Sequence, residues 1–216
     1  MPISKPRDLL CWDSRTQASA TWMPSPNNSS WRPNLEFYPD TLQLLPGDIL
    51  LFQPLKPGLT QKISQAFQRS DFTHAAIYCG FDHEICEATP MDGVALSSLE
   101  DSLEHYCVLA RRVPGLTFED CSRIAIEAGK LRGKPYAFSK VFQLAWNRFT
   151  TLYPKTDDAA QLGVICSTLC EHAIIAATKG RLCLRRNKDD VVTPARLGET
   201  GQLVDVQIAW TRVKRP

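Results

Sequence analysis

Cys166 is the residue whose type and setting best suit it to nucleophilic chemistry. It opens an apolar run, Cys166 to Thr178, which predicts a helix that begins directly after a polar loop and Gly163. Free backbone N–H groups and the positive end of the helix dipole stabilise a thiolate at such a position. Cys166 is therefore a candidate nucleophile. The alternative interpretation is a buried structural thiol.

A thiolate nucleophile needs a base within hydrogen-bonding reach, and the chain contains four histidines. His172 follows Cys166 by six residues on the same predicted helix, about 120° around its axis, which makes it a poor partner. His74 lies at the start of a predicted strand, Thr73 to Gly80. A strand histidine that faces a helix end has the better geometry, so His74 is the candidate base.

A third polar group is expected to orient the imidazole, and Glu87 is the candidate. The segment Glu84 to Ala88 is predicted to pair with the strand of His74 in a hairpin whose turn is GFDH. If the chain turns in the middle of GFDH, Ala76 pairs with Glu87, and His74 and Glu87 become diagonal neighbours on one face. A one-residue slip would move Glu87 to the other face. An ordinary edge-strand glutamate, or Asp82 as the orienting group, remains an alternative.

The elements that must position these residues favour an α+β fold. Strands are expected over 48–52, 73–80, 84–88, 93–96, 105–113 and 202–210. Helices are expected over 58–68, 117–133, 138–149 and 166–178, the second capped by Thr117 and ended by Gly133. Because strands and helices are segregated, we expect an antiparallel sheet packed against the helix that carries Cys166.

Length and composition limit the class of protein. The 216 residues are 44% hydrophobic and 22% charged, as in a globular protein with one full domain. The formal net charge of +2 gives no support for nucleic-acid binding. No apolar run reaches the length of a membrane span, and no apolar core of a cleaved signal lies near the first residue.

The chain divides at residue 43. Residues 1–40 hold six of the fifteen prolines and three of the five tryptophans and show no periodicity. We predict an irregular arm over 1–43 that docks on a catalytic domain over 44–216. The arm is either a leader without a function of its own or a segment with a role in delivery or in binding a partner.

The eight cysteines do not indicate a metal site. The sequence has no CxxC pair, and Cys166 and Cys170 form the closest pair, one helical turn apart. Most of the thiols are expected to be buried as small apolar groups. We expect no metal and no organic cofactor.

Five motifs in order resemble the circularly permuted NlpC-type branch of the papain-like cysteine hydrolases, in which the histidine strand precedes the cysteine helix. They are GDILLF, THAAIYCG, ICEATPMDGV, GKPYAFSKVF and ICSTLCEHA. A following Thr-Pro-x-x-Leu over 193–197 is also similar. The resemblance covers about residues 44–200. Ala137 departs from the pattern, because relatives often carry an aspartate there.

The resemblance implies acyl transfer by a triad of Cys166, His74 and Glu87. The sulfur would attack an amide carbonyl, the helix N-terminus would stabilise the oxyanion, and water would cleave the thioester. Tyr136 would add a hydroxyl donor near the site, or else be a core tyrosine. Ser167 is a further supporting residue and a conceivable rival nucleophile.

The resemblance also implies a substrate, the stem peptides of bacterial peptidoglycan. A wall hydrolase without an export signal resembles the toxic effectors of contact-dependent systems such as type VI secretion. Such a protein is made in the cytoplasm and delivered to the periplasm of a target bacterium, with a secretion carrier and an immunity protein as partners. Two alternatives stay open: a lecithin:retinol acyltransferase-like thiol acyltransferase or lipid hydrolase, and a binding module without catalytic activity.

Overall fold

The structure, a computed structural model, describes residues 37–39, 41–58, 61–62, 65, 70–80, 82–103, 105–137, 164–185, 191–207 and 210–212. The predicted arm up to residue 36 and the predicted helix over 138–149 lie outside these ranges, and most of the predicted helix over 58–68 does too. Two elements lie inside the last part of the predicted arm. They are strand β1, Phe37–Pro39, and a 3₁₀ turn, Thr41–Gln43.

The described residues form an antiparallel sheet with helices, which confirms the predicted α+β class. The strands after β1 are β2 Ile49–Pro54, β3 His74–Tyr78, β4 Glu84–Thr89, β5 Gly93–Ser98, β6 Tyr106–Arg112, β7 Val204–Asp205 and β8 Trp210–Arg212. The helices are α1 Leu99–Leu103, α2 Phe118–Gly129, α3 Cys166–Ala177 and α4 Pro194–Glu199. Six strands form one sheet in the order β5-β4-β3-β2-β6-β7, and β1 pairs with β8 in a separate ribbon.

The two faces of the six-stranded sheet bury different clusters of apolar side chains. One cluster joins the sheet to α2 and α3 through residues such as Ile77, Cys86, Ile124, Leu169 and Ala173. The other cluster lies on the opposite face and includes Leu50, Phe52, Tyr78, Ile85 and Leu99. Side chains alternate along a strand, so consecutive residues of β3 supply the two clusters in turn.

Close contacts with neighbouring backbone require glycine at two positions, one in the GDILLF motif and one in the ICEATPMDGV motif. Gly47 has a φ of +90°, and a Cβ there would overlap the carbonyl oxygen of Cys121 in α2. Gly93 has a φ of +68°, and a Cβ there would overlap the carbonyl oxygen of Lys134. Any other residue would therefore push α2 or the 134–135 segment away from the sheet.

The strands predicted before residue 114 correspond to β2 through β6, and the cap of α2 is confirmed. The Thr117 hydroxyl accepts a hydrogen bond from the N–H of Asp120 at 3.1 Å. The predicted end of this helix is wrong by four residues, because it stops at Gly129. Gly133 instead ends the following turns, and its N–H bonds to the carbonyl of Val94 at 2.9 Å.

The last quarter of the chain departs most from prediction. The single strand predicted over 202–210 is wrong: β7 covers only Val204–Asp205, and Trp210 begins β8. The segment before it, where no helix was expected, contains α4. This helix begins after Thr193, whose hydroxyl accepts a hydrogen bond from the N–H of Arg196 at 3.1 Å. The Thr-Pro pair is a helix-start pattern, so this helix was predictable. Among the described residues, no helix is long and apolar enough to cross a membrane.

Candidate active site

The β3–β4 hairpin brings His74 and Glu87 together. Ala76 pairs with Glu87, which confirms the predicted register. Asp82 and His83 in the turn have φ values of 47° and 55°, and paired positive φ values match the twist of a tight hairpin. The His74 Nε2 donates a hydrogen bond to Glu87 Oε2 at 2.6 Å. Their side chains are 22% and 14% exposed, so the pair is mostly shielded from water.

Cys166 is the first residue of α3 and meets His74 at the start of β3. Its thiol hydrogen-bonds to the His74 side chain and to the backbone N–H groups of Ala75 and Ser167. The residue before it, Ile165, has extended backbone, and its N–H donates to the Thr168 hydroxyl at 3.1 Å. This hydrogen bond fixes the first turn, so the predicted position of Cys166 at a helix N-terminus is confirmed.

The ring nitrogens of His74 have different partners. Because Nε2 is bound to Glu87, Nδ1 is the nitrogen that remains for the sulfur of Cys166. A charged imidazolium donates on both sides, to the thiolate and to the carboxylate. The arrangement therefore suits a thiolate–imidazolium pair with a carboxylate behind it.

The electrostatics of the site favour this charged pair. Burial disfavours the thiolate, but the charge and the hydrogen bond of His74, with the two N–H groups, outweigh it and lower the pKa of Cys166. Burial also disfavours the imidazolium, but Cys166 and then Glu87 raise the pKa of His74 to about 10. The pKa of Glu87 is lowered, because hydrogen bonds from His74 and Ser97 outweigh its burial.

Three other thiols, those of Cys79, Cys86 and Cys170, have a raised pKa instead. Burial raises the pKa of Cys79 to about 12 and that of Cys86 to about 11. Burial and the charge of Cys166 also raise the pKa of Cys170, one turn further along α3. All seven described cysteines are free. Cys166 therefore differs from these three neighbours in favouring the thiolate.

The structure places Tyr136 close to Cys166. Burial and then the charge of Cys166 raise the pKa of the Tyr136 phenol, which therefore stays protonated at neutral pH. Tyr136 forms a parallel bridge with Val164 and is half-buried against the apolar cluster that joins the sheet to α2 and α3. Both predicted roles, hydroxyl donor and core residue, are compatible with this position.

Ser167 contacts the site through its backbone. Its side chain is fully buried, and its hydroxyl donates to the carbonyl of Val192 at 2.7 Å. The hydroxyl therefore ties the segment before α4 to α3, whereas the backbone N–H faces the sulfur of Cys166. Of the two groups, the N–H is the one in position to support the thiolate.

Two residues of the site were not predicted. The Ser97 hydroxyl donates to Glu87 Oε1, and the ring centroid of Phe52 lies 5.4 Å from that of His74. Ser97 pairs with Ile85, two residues before Glu87 on β4, which places Ser97 and Glu87 on one face. The short turn between β4 and β5 sets this register. Ser97 could therefore have been predicted as a neighbour of Glu87 from the length of the turn and the alternation of side chains.

A groove of about 530 Å³ borders the His74–Glu87 pair. Its walls carry several hydroxyl groups and one further carboxylate, from Thr73, Thr89, Ser98, Ser102, Tyr106 and Asp101. Phe52 and Pro90 supply apolar lining. Within the described ranges, no group of three or more metal-ligating side chains converges.

Comparison with known protein families and with curated proteins finds no match to this chain. Among solved structures, it is similar to the metalloprotein yiiX from Escherichia coli O157:H7, with a TM-score of 0.49 and 20% sequence identity. The alignment covers 81% of this chain and 99% of the other. A likeness of this degree supports no conclusion about the chemistry of the site.

Proposed function

We propose that this chain is a cysteine hydrolase of the circularly permuted NlpC type that cleaves amide bonds in the stem peptides of peptidoglycan. One observation carries the proposal: the thiol of Cys166, at the start of α3, hydrogen-bonds to His74, whose other nitrogen donates to Glu87 at 2.6 Å. Nucleophile, base and orienting group in mutual contact are what cysteine-dependent acyl transfer requires.

In the first step, the Cys166 thiolate attacks the carbonyl carbon of the amide. A C–S bond forms, and the π electrons move to the carbonyl oxygen, which becomes an oxyanion beside the N–H groups at the start of α3. The His74 imidazolium gives its Nδ1 proton to the amide nitrogen. The C–N bond then breaks, the amine leaves, and a thioester on Cys166 remains with neutral His74.

In the second step, His74 takes a proton from water, and the hydroxide attacks the thioester. The C–S bond breaks, the carboxylic acid leaves, and the thiolate–imidazolium pair is restored. Glu87 accepts a hydrogen bond from Nε2 throughout and stabilises the ring when it is charged.

The groove beside the pair combines polar and apolar lining. Its hydroxyl groups offer donors and acceptors to the backbone of a peptide, and apolar atoms make up most of its accessible wall. The preference for a peptide over an acyl substrate therefore rests on the motifs that resemble those of peptidoglycan hydrolases. No observation on the described residues favours a binding module over an enzyme.

The delivery of the protein is part of the same proposal. We infer an antibacterial effector that acts in the periplasm of a target bacterium, carried there by a secretion apparatus such as the type VI system. An immunity protein in the producing cell is the expected inhibitor. This part rests on the resemblance of the motifs to those of cell-wall hydrolases.

Analysis of muropeptides tests the enzymatic proposal. Purified peptidoglycan is incubated with the wild-type protein, with Cys166→Ala and with Cys170→Ala, and the products are resolved by mass. We expect new fragments from the wild type and from Cys170→Ala, which removes a neighbouring thiol, and none from Cys166→Ala. Fragments identical in all three would exclude Cys166 as the nucleophile. No fragments from folded wild type, together with turnover of phospholipid vesicles, would favour the acyltransferase.

A further inference from the structure

We propose that Ser97 is a positioning residue for this reaction, because its hydroxyl holds Glu87 in the orientation in which it hydrogen-bonds to His74. The inference rests on the proposed function and extends the site by one residue. Ser97 lies on β5, one strand further from Cys166 than Glu87 is.

The two oxygens of the Glu87 carboxylate have separate partners. Oε2 accepts the hydrogen bond from His74 Nε2, and Oε1 accepts the hydrogen bond from the Ser97 hydroxyl. With one oxygen held on each side, the carboxylate plane cannot turn without breaking a hydrogen bond to a charged group. Such bonds are stronger than neutral ones, so the orientation is well defined.

Strand register brings the three side chains into line. Glu87 is diagonal to His74 across the β3–β4 pair, because Ala76 pairs with Glu87. Ser97 is diagonal to Glu87 across the β4–β5 pair, because Ala95 pairs with Glu87. The same diagonal step is repeated on adjacent strands, and diagonal neighbours are within reach of long side chains.

The groove explains why the carboxylate needs a second partner. Both Glu87 and Ser97 border it, and the Glu87 side chain is 14% exposed. Water that enters the groove would compete for the carboxylate and draw it away from His74. The Ser97 hydroxyl occupies the oxygen that does not face His74 and so limits that competition.

Other titratable groups also lie near this pair, on the same face or on neighbouring elements. Cys166 on α3 contacts His74, and Cys86 on β4 lies near Glu87. Tyr106 on β6 has a pKa raised by burial and then by the charge of Glu87. Asp101 and His105 line the same groove. None of these has the hydrogen bond to Oε1 that Ser97 makes, so Ser97→Ala changes one defined contact.

The titration of His74 itself is the test, since it needs no substrate. The ring-nitrogen signals of ¹⁵N-histidine-labelled protein are followed by NMR across pH. The signals of His74 are assigned by their absence from the spectrum of His74→Ala. We expect the wild-type midpoint near 10 and a Ser97→Ala midpoint lower by about 0.5–1 pH unit, because the carboxylate supports the imidazolium less well. Ser97→Thr keeps the hydroxyl and should restore the midpoint. Ser102→Ala, which removes a different hydroxyl from the groove, should leave it unchanged.

The kinetic counterpart uses muropeptide substrate. Ser97→Ala should lower kcat by about tenfold with little change in KM, and Ser97→Thr should recover most of it. A wild-type midpoint near 10 that Ser97→Ala does not move would overturn the role of Ser97 and leave the proposed function standing. Equal shifts in Ser97→Ala and Ser97→Thr would also overturn it, because packing rather than the hydroxyl would then set the midpoint. A wild-type midpoint near the ordinary histidine value would overturn the resting charged pair, and His74 would then act by taking the proton of the Cys166 thiol.

Discussion

Both carboxylate oxygens of Asp48 accept hydrogen bonds from the guanidinium of Arg112, each at 2.7 Å. Asp48 is fully buried, whereas the Arg112 side chain is 27% exposed. Burial raises the pKa of Asp48, although Arg112 and the N–H of Leu45 act against it. The ion pair joins the turn before β2 to the end of β6 and so fastens two adjacent strands.

Removal of the arginine should therefore destabilise the protein. We expect Arg112→Met to lower the free energy of unfolding by about 2–4 kcal/mol, because a buried carboxylate is left without its partner. The measurement is urea unfolding at neutral pH. The double variant Asp48→Asn with Arg112→Met should lose less unfolding free energy than the two single variants lose in sum. Additive losses would mean that the two side chains are not coupled.

Cysteine alkylation should distinguish reactivity from exposure. Cys183 is exposed and Cys166 is only 6% exposed, yet the lowered pKa of Cys166 makes it the stronger nucleophile at pH 6. We expect iodoacetamide to label Cys166 at least about tenfold faster than Cys183, as measured by peptide mass mapping. His74→Ala should abolish this preference. Faster labelling of Cys183 in the folded wild type would contradict a resting thiolate at Cys166.

The pH dependence of hydrolysis should have an alkaline limit set by His74. Its pKa is raised to about 10, so the imidazolium that protonates the leaving amine persists through neutral pH and is lost above about 10. Glu87→Gln keeps an acceptor but removes the negative charge, which lowers the pKa of His74. The alkaline limb of kcat/KM should therefore move to lower pH, by about one unit.

Glu84→Gln, at the start of the same strand, is the matched control for this shift. The Glu84 carboxylate does not contact His74. The alkaline limb of kcat/KM for Glu84→Gln should therefore coincide with that of the wild type. A shift of equal size in both variants would point to a general effect of charge rather than to Glu87.

Ser167→Ala should separate folding from catalysis. Loss of its hydrogen bond to the carbonyl of Val192 should cost about 1–2 kcal/mol of unfolding free energy, because that carbonyl is left unpaired in the interior. Peptidoglycan cleavage should persist, since the backbone N–H toward Cys166 is retained. Mass spectrometry of a trapped acyl-enzyme should place the acyl group on Cys166 in this variant. An acyl group that disappears with Ser167 would identify the serine as the nucleophile.

Arg111 should contribute to stability through the fixed geometry of its donors as well as through its ion pair with Asp205 at 2.8 Å. Its guanidinium donates to the carbonyls of Leu197, Gly198, Thr200 and Leu203, at the end of α4 and in the loop after it, at 2.5–3.1 Å. Lysine has one donor nitrogen and cannot span these positions. We expect Arg111→Lys to lower Tm by about 5–10 °C in a thermal scan. Arg123→Lys, in an exposed pair on α2, should shift Tm by less than about 2 °C.

The part of the site that depends on local pattern could be predicted from the sequence. The hairpin turn fixed the register of His74 against Glu87, and the apolar run after Gly163 located Cys166 at a helix start. The pair of His74 and Cys166, from distant segments, was predicted from residue types and the order of the motifs, whereas the structural pairs between distant segments could not be predicted. Asp48 and Arg112 are 64 residues apart, and Arg111 and Leu197 are 86 apart. No local periodicity encodes such contacts, because they depend on how the finished layers pack.

The position of Ala75 has a consequence for how the protein can be controlled. The proposed base and one amide that contacts the sulfur of Cys166 belong to consecutive residues, His74 and Ala75, at the start of a strand paired on both sides. Their relative placement is built into the backbone, so the reactive sulfur is ready before any substrate arrives. A nucleophile in that state is also open to electrophilic warheads such as vinyl sulfones or chloroacetamides. Covalent ligands of Cys166 can therefore be selected by thiol reactivity alone, and they would serve as inhibitors of the proposed hydrolase.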